Sequence, residues 1–546
     1  MVLNYEKFDR IVDSDSDEDV CTEGASRLNS GVKATLLDVD LAEWGRLAGA
    51  DLFALRDHAR ASPGICCAVR SGLPHLQSLL AAWRSGRATC KPRLAYVGGS
   101  ITAQRDGWKN RVHSWLTHEY RPNENVGLEQ VNVAVGNVGS KVISFLTDEW
   151  IIEHAPDIVF LETVVNDGDS LLEDGDSANV RRALEGIVRR VRTKLPRTEI
   201  VFVYMLLRGD VPTNRRTGTK AWADGGVGDA LCLYHRDAVA IHEAVAEHYG
   251  CPSINVIGAL KWAPSTVLDR LFRDDCHHTP AGASLVASVV GRALQTMLGS
   301  ANGGARDGQM MNMTVPSPLD ARLWSSGEAL KLAEAQVAFK GGTRQAHHTR
   351  LDLDPITGKP DQWWLLSPGD MITFHFAGTA VGLLTHLGPD AGVLEGSMSL
   401  ANGDVLPLRC KLFDSWCYYY RLGVVILAEG LPAGSHTLRL RLSAAGPDRS
   451  CLKRPLSAGP GPVQGTLKLW VAYMLVMRGG WVDTNLPIAA YAYGEGDALP
   501  AANDPTYAAE AGREGQTVAP RRHGRDTLAV PSNRVACHCS LSDIDE

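Results

Sequence analysis

The features that the sequence lacks already exclude several classes of protein. It has no apolar run of about 18 residues, and no basic stretch followed by an apolar one at its amino terminus. We therefore predict no membrane span and no secretory leader, which favours a cytoplasmic protein. The 546 residues carry a formal net charge of −7. Because nucleic-acid binders usually show a basic patch or stripe, we expect no nucleic-acid partner.

Metal-binding and redox patterns are also missing. The chain has 12 cysteines but no Cys-x-x-Cys pair, so a zinc ribbon is not expected and reduced cysteines are the simpler interpretation. The Gly-x-Ser-x-Gly elbow of the α/β-hydrolases does not occur either. We predict that the protein works without a cofactor or a metal.

Patterning divides the chain into five parts. An acidic run near the start and a Pro, Gly, Ala and charge-rich end read as disordered tails. A Gly, Ser and Ala-rich stretch after the last predicted helix reads as a linker. The predicted divisions are an N-terminal tail at 1–38, an α/β domain with a helical N-terminal extension at 39–298, a linker at 299–309, a β-rich accessory domain at 310–496 and a C-terminal tail at 497–546.

Short apolar runs alternate with amphipathic stretches in the α/β domain. Continuous apolar strands separated by helices are typical of a parallel sheet covered on both faces. The predicted strands lie at 94–97, 131–135, 157–161, 199–207 and 253–256. The predicted helices lie at 108–120, 142–154, 178–194, 230–249 and 280–298. Ligands of such sheets bind beyond the carboxyl ends of the strands.

Small and polar residues follow the first three strands at that edge. Ser100 comes after two glycines at the end of the first strand, in the position of a nucleophile or of a helix cap. The second strand runs into Gly136 and Gly139, where backbone N–H groups suit an oxyanion or simply form a tight turn. Asn166 follows the third strand, where its amide can donate to an oxyanion or close an Asx-turn with Asp167.

A general base for Ser100 is available before the last helix. A serine hydroxyl is a weak nucleophile, and a histidine oriented by a carboxylate activates it. An Asp and a His three positions apart on one loop make that contact locally. The segment offers two such pairs, and a solvated loop is the alternative: Asp274 with His277, and Asp275 with His278.

Together these residues resemble the SGNH (GDSL-like) hydrolase superfamily over about residues 90–298. Gly99-Ser100 resembles the first block, with Gly99 in the place of the usual Asp. Gly136 to Gly139 resembles the second block, although Ala134 stands where Asn is frequent. Asn166-Asp167 matches the third block. Asp274-x-x-His277 matches the last, and Gly282, five residues after His277, favours that histidine over His278.

The resemblance implies a fold, a mechanism and a class of substrate. The fold is a flavodoxin-like three-layer α/β/α sandwich with a parallel sheet. The resemblance does not reach the β-rich part, where short predicted strands separated by turn residues predict an all-β sandwich or jelly-roll-like domain; these strands lie at 371–376, 380–386, 418–426, 436–442 and 467–477. Ser100 would attack the ester carbonyl, with His277 as base and Asp274 as its partner. Gly139, Ser100 and Asn166 would hold the oxyanion. Family members hydrolyse esters of lipids, sugars and small acyl groups without a metal, so the expected partner is an acylated carbohydrate or small ester.

The β-rich part carries an aromatic cluster of unassigned role. The residues Trp416, Tyr418, Tyr419 and Tyr420 suit stacking on sugar rings if they are exposed, or a hydrophobic core if they are not. Two other functions stay open at this point. The chain would be an inactive SGNH-fold binding module if the β domain alone did the recognition, or an acyltransferase if a sugar hydroxyl replaced water.

Overall fold

The computed structural model describes much of the chain between residues 67 and 490. The described ranges are 67–88, 90–123, 125–174, 177–205, 233–257, 270–274, 276–300, 315–320, 324–332, 335–345, 363–447, 449–452, 467–478 and 489–490. Both predicted tails, residues 39–66 of the predicted extension and residues 301–309 of the predicted linker lie outside them. The predicted domain boundaries therefore stay a prediction.

The first half of the described chain forms one six-stranded sheet. Its order is β1-β6-β5-β4-β2-β3, and every neighbouring pair is parallel except β1 with β6. Without β1 this is the 2-1-3-4-5 order of flavodoxin-like sheets. The strands are β1 (Cys67–Ala68), β2 (Arg93–Gly98), β3 (Glu129–Ala134), β4 (Ile158–Glu162), β5 (Glu199–Tyr204) and β6 (Ser253–Asn255).

Helices cover both faces of this sheet, so the predicted three-layer α/β architecture is confirmed. Strands β4 and β5 are buried almost throughout, because a sheet covered on both faces leaves no side for polar alternation. The helices are α1 (Pro74–Arg84), α2 (Ser100–Ala103), α3 (Trp108–Tyr120), α4 (Ser140–Trp150), α5 (Val164–Asp174), α6 (Ser177–Lys194), α7 (Leu233–His248) and α8 (Pro280–Ser300).

The second half is all-β and antiparallel, as the sequence predicts. One sheet has the order β18-β15-β12-β17-β10-β9 with β7 also paired to β17, and the other has the order β14-β13-β16-β11-β8. The strands are β7 (Gly327–Lys331), β8 (Val337–Lys340), β9 (Thr343–Gln345), β10 (Trp363–Leu366), β11 (Met371–Ala377), β12 (Ala380–Leu387), β13 (Val393–Ser399), β14 (Val405–Lys411), β15 (Arg421–Glu429), β16 (Ser435–Leu442), β17 (Leu469–Met477) and β18 (Ala489–Ala490).

Strand β17 joins two hydrophobic cores. All nine of its residues are buried. Val471 and Met474 pack in the core between the two antiparallel sheets, whereas Tyr473 and Leu475 belong to the core that continues into the α/β region. The strand lacks the usual apolar–polar alternation because the first antiparallel sheet packs against helices with one face and against the second sheet with the other.

Ion pairs and close packing fasten the β-rich region to helices α4 and α6. Arg182 lies 3.1 Å from Glu429 of β15, and both side chains are buried. Trp324 packs on Phe145 with ring centroids 5.4 Å apart. A Cβ on Gly186 would lie 2.8 Å from the Trp324 backbone, so this glycine permits the close approach of α6. The two regions consequently share one continuous apolar core.

Helix α8 has a length and an apolar composition that membrane-spanning helices also have. Among the described residues, Pro280–Gly299 is the one helical segment long and apolar enough to cross a membrane, and 72% of its most apolar 18-residue stretch is buried within the fold. It packs on α3 and α1. Buried core helices commonly combine these properties.

Candidate active site

Ser100 lies where the sequence predicts, at the carboxyl edge of the parallel sheet. It follows β2 and begins the short helix α2, with Gly99 as the residue before the first helical position. The neighbouring strands of β2 are β3 and β4, so their carboxyl ends reach the same edge. This is the point at which the strand order reverses, where open α/β sheets bind their ligands.

The loop before α8 brings a histidine and an aspartate to Ser100. Nε2 of His277 lies 2.8 Å from Ser100 Oγ, and its Nδ1 lies 2.9 Å from Asp274 Oδ2. The backbone N–H groups of Cys276 and His277 donate to Asp274 Oδ1 over 2.8 and 2.7 Å. The three side chains thus form one hydrogen-bonded chain that ends at the serine hydroxyl.

The Asp274 carboxyl is held in its ionised form. Burial acts to raise its pKa, but the His277 ring and the two backbone N–H groups outweigh burial and lower the pKa to about 2. An ionised carboxylate at this point fixes the Nδ1–H tautomer of the imidazole, which leaves the Nε2 lone pair directed at Ser100.

His278 faces the opposite way from its neighbour. Its ring is buried against Phe272, with centroids 5.0 Å apart, and burial lowers its pKa to about 3. A neutral, enclosed imidazole of this kind belongs to the core. Geometry therefore places His277, not His278, beside the serine, in agreement with the spacing to Gly282. Asp275, the other aspartate weighed from the sequence, lies outside the described residues.

Asn166 and Gly139 lie together at the same edge. Asn166 is in the first turn of α5, not in a loop after the strand, because the helix begins two residues beyond β4. Gly139 precedes the first residue of α4, and a Cβ there would lie 2.6 Å from Asp167 Oδ1. Gly136 is more open, since its Cβ would meet Ser100 Cβ at 4.0 Å.

A buried aspartate ties these two segments together. Asp167 Oδ1 accepts hydrogen bonds from the Ser140 N–H and the Ser140 hydroxyl over 2.8 and 2.9 Å. Its other oxygen lies 2.9 Å from Nε2 of His242 on α7, and neither the Asp167 nor the His242 side chain is exposed. Asp167 is part of the third sequence block, but nothing in the sequence pattern points to His242, which sits within an ordinary helix.

Glu162 forms hydrogen bonds with the turn that carries Ser100. It is fully buried, accepts a hydrogen bond from the Thr102 hydroxyl over 2.8 Å, and accepts the Gly99 N–H. Trp108 Nε1 donates to the same Thr102 oxygen over 3.2 Å. Burial raises the pKa of Glu162 to about 8, and the bonds from Thr102 and Gly99 oppose it only in part. Sequence reasoning missed this residue, although its place at the end of a buried strand was a signal.

Gly99 stands where the first block usually has an Asp. A Cβ at this position would come too close to the side-chain oxygen of Asn166, so any side chain there has to displace Asn166. The carboxyl that reaches the turn comes instead from Glu162, on the neighbouring strand.

The aromatic cluster of the β-rich region is half-buried and reaches this edge. The predicted strand at 418–426 begins only at Arg421, because Asp414 accepts the Trp416 N–H and pairs with Arg421, which folds the preceding residues into turns. Tyr419 Oη lies 3.4 Å from Asn137 Oδ1.

Among the described residues, no group of three or more His, Cys, Asp or Glu has the arrangement of a metal site.

The protein is a carboxylic ester hydrolase whose α/β region is of the GDSL type. Residues 96–285 match the GDSL-like lipase/acylhydrolase family, a segment that contains Ser100, Asn166, Asp274 and His277. The predicted resemblance and the predicted enzyme class are confirmed. No curated protein sequence matches the chain.

Solved structures resemble both regions of the chain. A two-domain esterase active on acetylated mannans, co-crystallised with mannopentaose, is 18% identical, with a TM-score of 0.55 over 76% of this chain and 97% of that one. A second structure of a two-domain esterase active on acetylated mannans is 17% identical, with a TM-score of 0.53 over 75% of this chain and 98% of that one. At these identities the likeness shows the fold: an α/β region followed by a β-rich one.

Proposed function

We propose that the protein removes acyl groups from esterified hydroxyls of carbohydrates through an acyl-enzyme on Ser100. One observation carries the proposal: the Ser100 hydroxyl and the Asp274 carboxylate lie at hydrogen-bond distance on opposite sides of the His277 ring. A positioned base of this kind turns a serine hydroxyl into a nucleophile. The alternative of an inactive binding module does not account for this arrangement.

The reaction proceeds in two acyl transfers. Ser100 Oγ attacks the ester carbonyl as its proton passes to His277 Nε2, and the tetrahedral adduct expels the alcohol, which takes that proton. Water then loses a proton to Nε2 and attacks the acyl-enzyme, and Ser100 leaves with the proton returned. Asp274 stays ionised throughout and stabilises the imidazolium that forms in each half.

The developing oxyanion faces three donors in this proposal. These are the backbone N–H groups of Ser100 and Gly139 and the side-chain amide of Asn166. Loss of one such donor costs about 10²–10³ in kcat in other enzymes. The Asn166 side chain lies beside the turn that carries Ser100, with its oxygen towards Gly99 and its Nδ2 towards Asn137, and this proximity supports its assignment.

A carbohydrate ester is the substrate class that the likeness favours. The two-domain esterase that matches both regions is active on acetylated mannans. Small acetyl esters of sugar hydroxyls therefore rank first among the substrates of this chain. Because the acyl-enzyme is common to hydrolysis and acyl transfer, the acceptor decides between an esterase and an acyltransferase.

Active-site labelling tests the proposal. A fluorophosphonate should label Ser100, identified by mass spectrometry of the modified peptide, and Ser100→Ala should lose both the label and acetate release from an acetylated mannooligosaccharide. Ser85→Ala, which changes an exposed serine directly after α1, is the matched control. Labelling of another serine would overturn the assignment. Acetyl transfer to added mannooligosaccharide in preference to water would identify an acyltransferase.

A further inference from the structure

The β-rich region delivers a hydroxyl to the edge of the ester site. Residues 412–420 connect β14 to β15, and Tyr419 Oη on this connection lies 3.4 Å from Asn137 Oδ1. The same Asn137 oxygen lies 3.5 Å from Nδ2 of Asn166. One amide oxygen therefore joins the phenol of the accessory region to the side chain assigned to the oxyanion.

The connection that carries Tyr419 is braced on both sides. Tyr420 donates to Asp390 over 2.9 Å, and Asp414 accepts the Trp416 N–H over the same distance. The buried Arg421 guanidinium pairs with Asp414 at the start of β15. These bonds restrict the position of the phenol before any substrate arrives, which lowers the entropic cost of using it in binding.

Donor and acceptor chemistry determines what this phenol can recognise. The Asn137 side-chain oxygen can only accept, so Tyr419 donates its proton to it, and the phenol oxygen can then accept a proton from a ligand. A ligand hydroxyl is such a donor, whereas a simple alkyl or aryl ester has none. The Tyr419 ring also lies against Tyr418, with centroids 5.0 Å apart, which extends the aromatic surface away from the site.

We propose that Tyr419 is a specificity-determining residue that accepts a hydrogen bond from a free hydroxyl close to the scissile ester. The site then prefers a partly esterified polyol, such as a sugar unit with a free hydroxyl near its acetylated one, over esters without hydroxyls. The inference rests on the proposed function, because it needs the ester to be cleaved at Ser100, and it adds a substrate feature read by the β-rich region.

A ratio of specificity constants tests the inference. Tyr419→Phe should lower kcat/KM for an acetylated mannooligosaccharide about tenfold, which corresponds to about 1.4 kcal/mol, and that for p-nitrophenyl acetate by a clearly smaller factor. The loss should fall mainly on KM. Tyr120→Phe, which removes a phenol hydroxyl at the end of α3, is the matched control and should leave the ratio of the two constants as in the parent.

The possible outcomes distinguish the specificity assignment of Tyr419 from the proposed function. Equal losses on both esters would mean that Tyr419 acts through Asn137 and Asn166 on the oxyanion, and would overturn the specificity assignment. An unchanged ratio in a folded Tyr419→Phe variant would overturn it as well. A parent enzyme that is labelled at Ser100 and cleaves p-nitrophenyl acetate but no sugar ester would overturn the carbohydrate substrate of the proposed function, and the specificity assignment with it. A parent that cleaves neither ester, with Ser100 unlabelled by fluorophosphonate, would overturn the proposed function itself.

Discussion

The Asp167 carboxylate accepts two hydrogen bonds from Ser140, one from its N–H and one from its hydroxyl, across 27 positions of sequence. The residues directly before them are Asn166 and Gly139. Because Asp167 and Ser140 are joined, the two groups assigned to the oxyanion are held side by side. The buried His242 ring on the other carboxylate oxygen prevents Asp167 from turning away.

Loss of this link should cost catalysis more than binding. We expect Asp167→Ala to lower kcat by about 10²-fold with little change in KM, because a displacement of about 1 Å is enough to spoil an oxyanion geometry. Ser140→Ala keeps the N–H bond and should cost much less. Steady-state kinetics with p-nitrophenyl acetate, together with circular dichroism, provide the measurement. Full kcat in a folded Asp167→Ala protein would show that the link is not needed.

The two adjacent histidines should behave differently. His277→Ala removes the base beside Ser100 and should lower kcat/KM by about 10⁴-fold or more. His278→Ala leaves a cavity beside Phe272 and should lower the free energy of unfolding by about 1–3 kcal/mol while most of the activity remains. Ester hydrolysis and urea unfolding of both variants separate the effects. The opposite ranking of activities would transfer the role of base to His278.

Substitution of Gly99 should reduce activity as much as substitution of Asn166, whose side chain lies beside it. A methyl group at Gly99 has to displace the Asn166 side chain, so Gly99→Ala and Asn166→Ala should both lower kcat by about 10²–10³-fold. Gly136→Ala is the matched control, since its Cβ would meet Ser100 only at 4.0 Å. If Asn166→Ala retains full kcat, its amide does not hold the oxyanion.

The pH dependence of the free energy of unfolding should reflect the raised pKa of Glu162. Burial raises its folded-state pKa to about 8, above the value of about 4.5 expected in an unfolded chain. Its contribution to stability is therefore fully present below pH 4.5 and is lost as the pH rises through 8. Glu162→Gln, which resembles the protonated form, should weaken this decline in the free energy of unfolding. Identical pH profiles for mutant and parent would contradict the assignment. Burial raises the pKa of Glu199 to about 7, so part of the decline should remain.

The buried ion pair between the two regions should matter more than a surface one. Arg182→Met leaves the buried Glu429 without this guanidinium and should lower the free energy of unfolding by about 3–5 kcal/mol. Lys194→Met removes an exposed partner of Asp148 and should cost at most about 1 kcal/mol. Urea titration of both variants provides the comparison. Equal effects would mean that the contact between the regions contributes little.

Much of this protein follows from local sequence pattern. The apolar strands and amphipathic helices predict the α/β layers because side-chain periodicity reflects which faces are buried. Local sequence also predicts the positions of Ser100 and of the pair Asp274 and His277. Ser100 directly follows a buried strand, and Asp274 stands only three residues before the histidine that it contacts. The antiparallel second region follows from short strands separated by turn residues, and the likeness to a two-domain esterase agrees with it.

Only the tertiary structure decided the rest, because the deciding contacts join distant positions. Glu162 reaches Thr102 across 60 positions and brings a carboxyl to the serine turn. Tyr419 reaches Asn137 across 282 positions. Strand β17 is buried on both faces only because another sheet and a helical layer meet there. His277 and His278 are the same residue type in adjacent positions, and only the packing of their loop turns one to Ser100 and the other into the core.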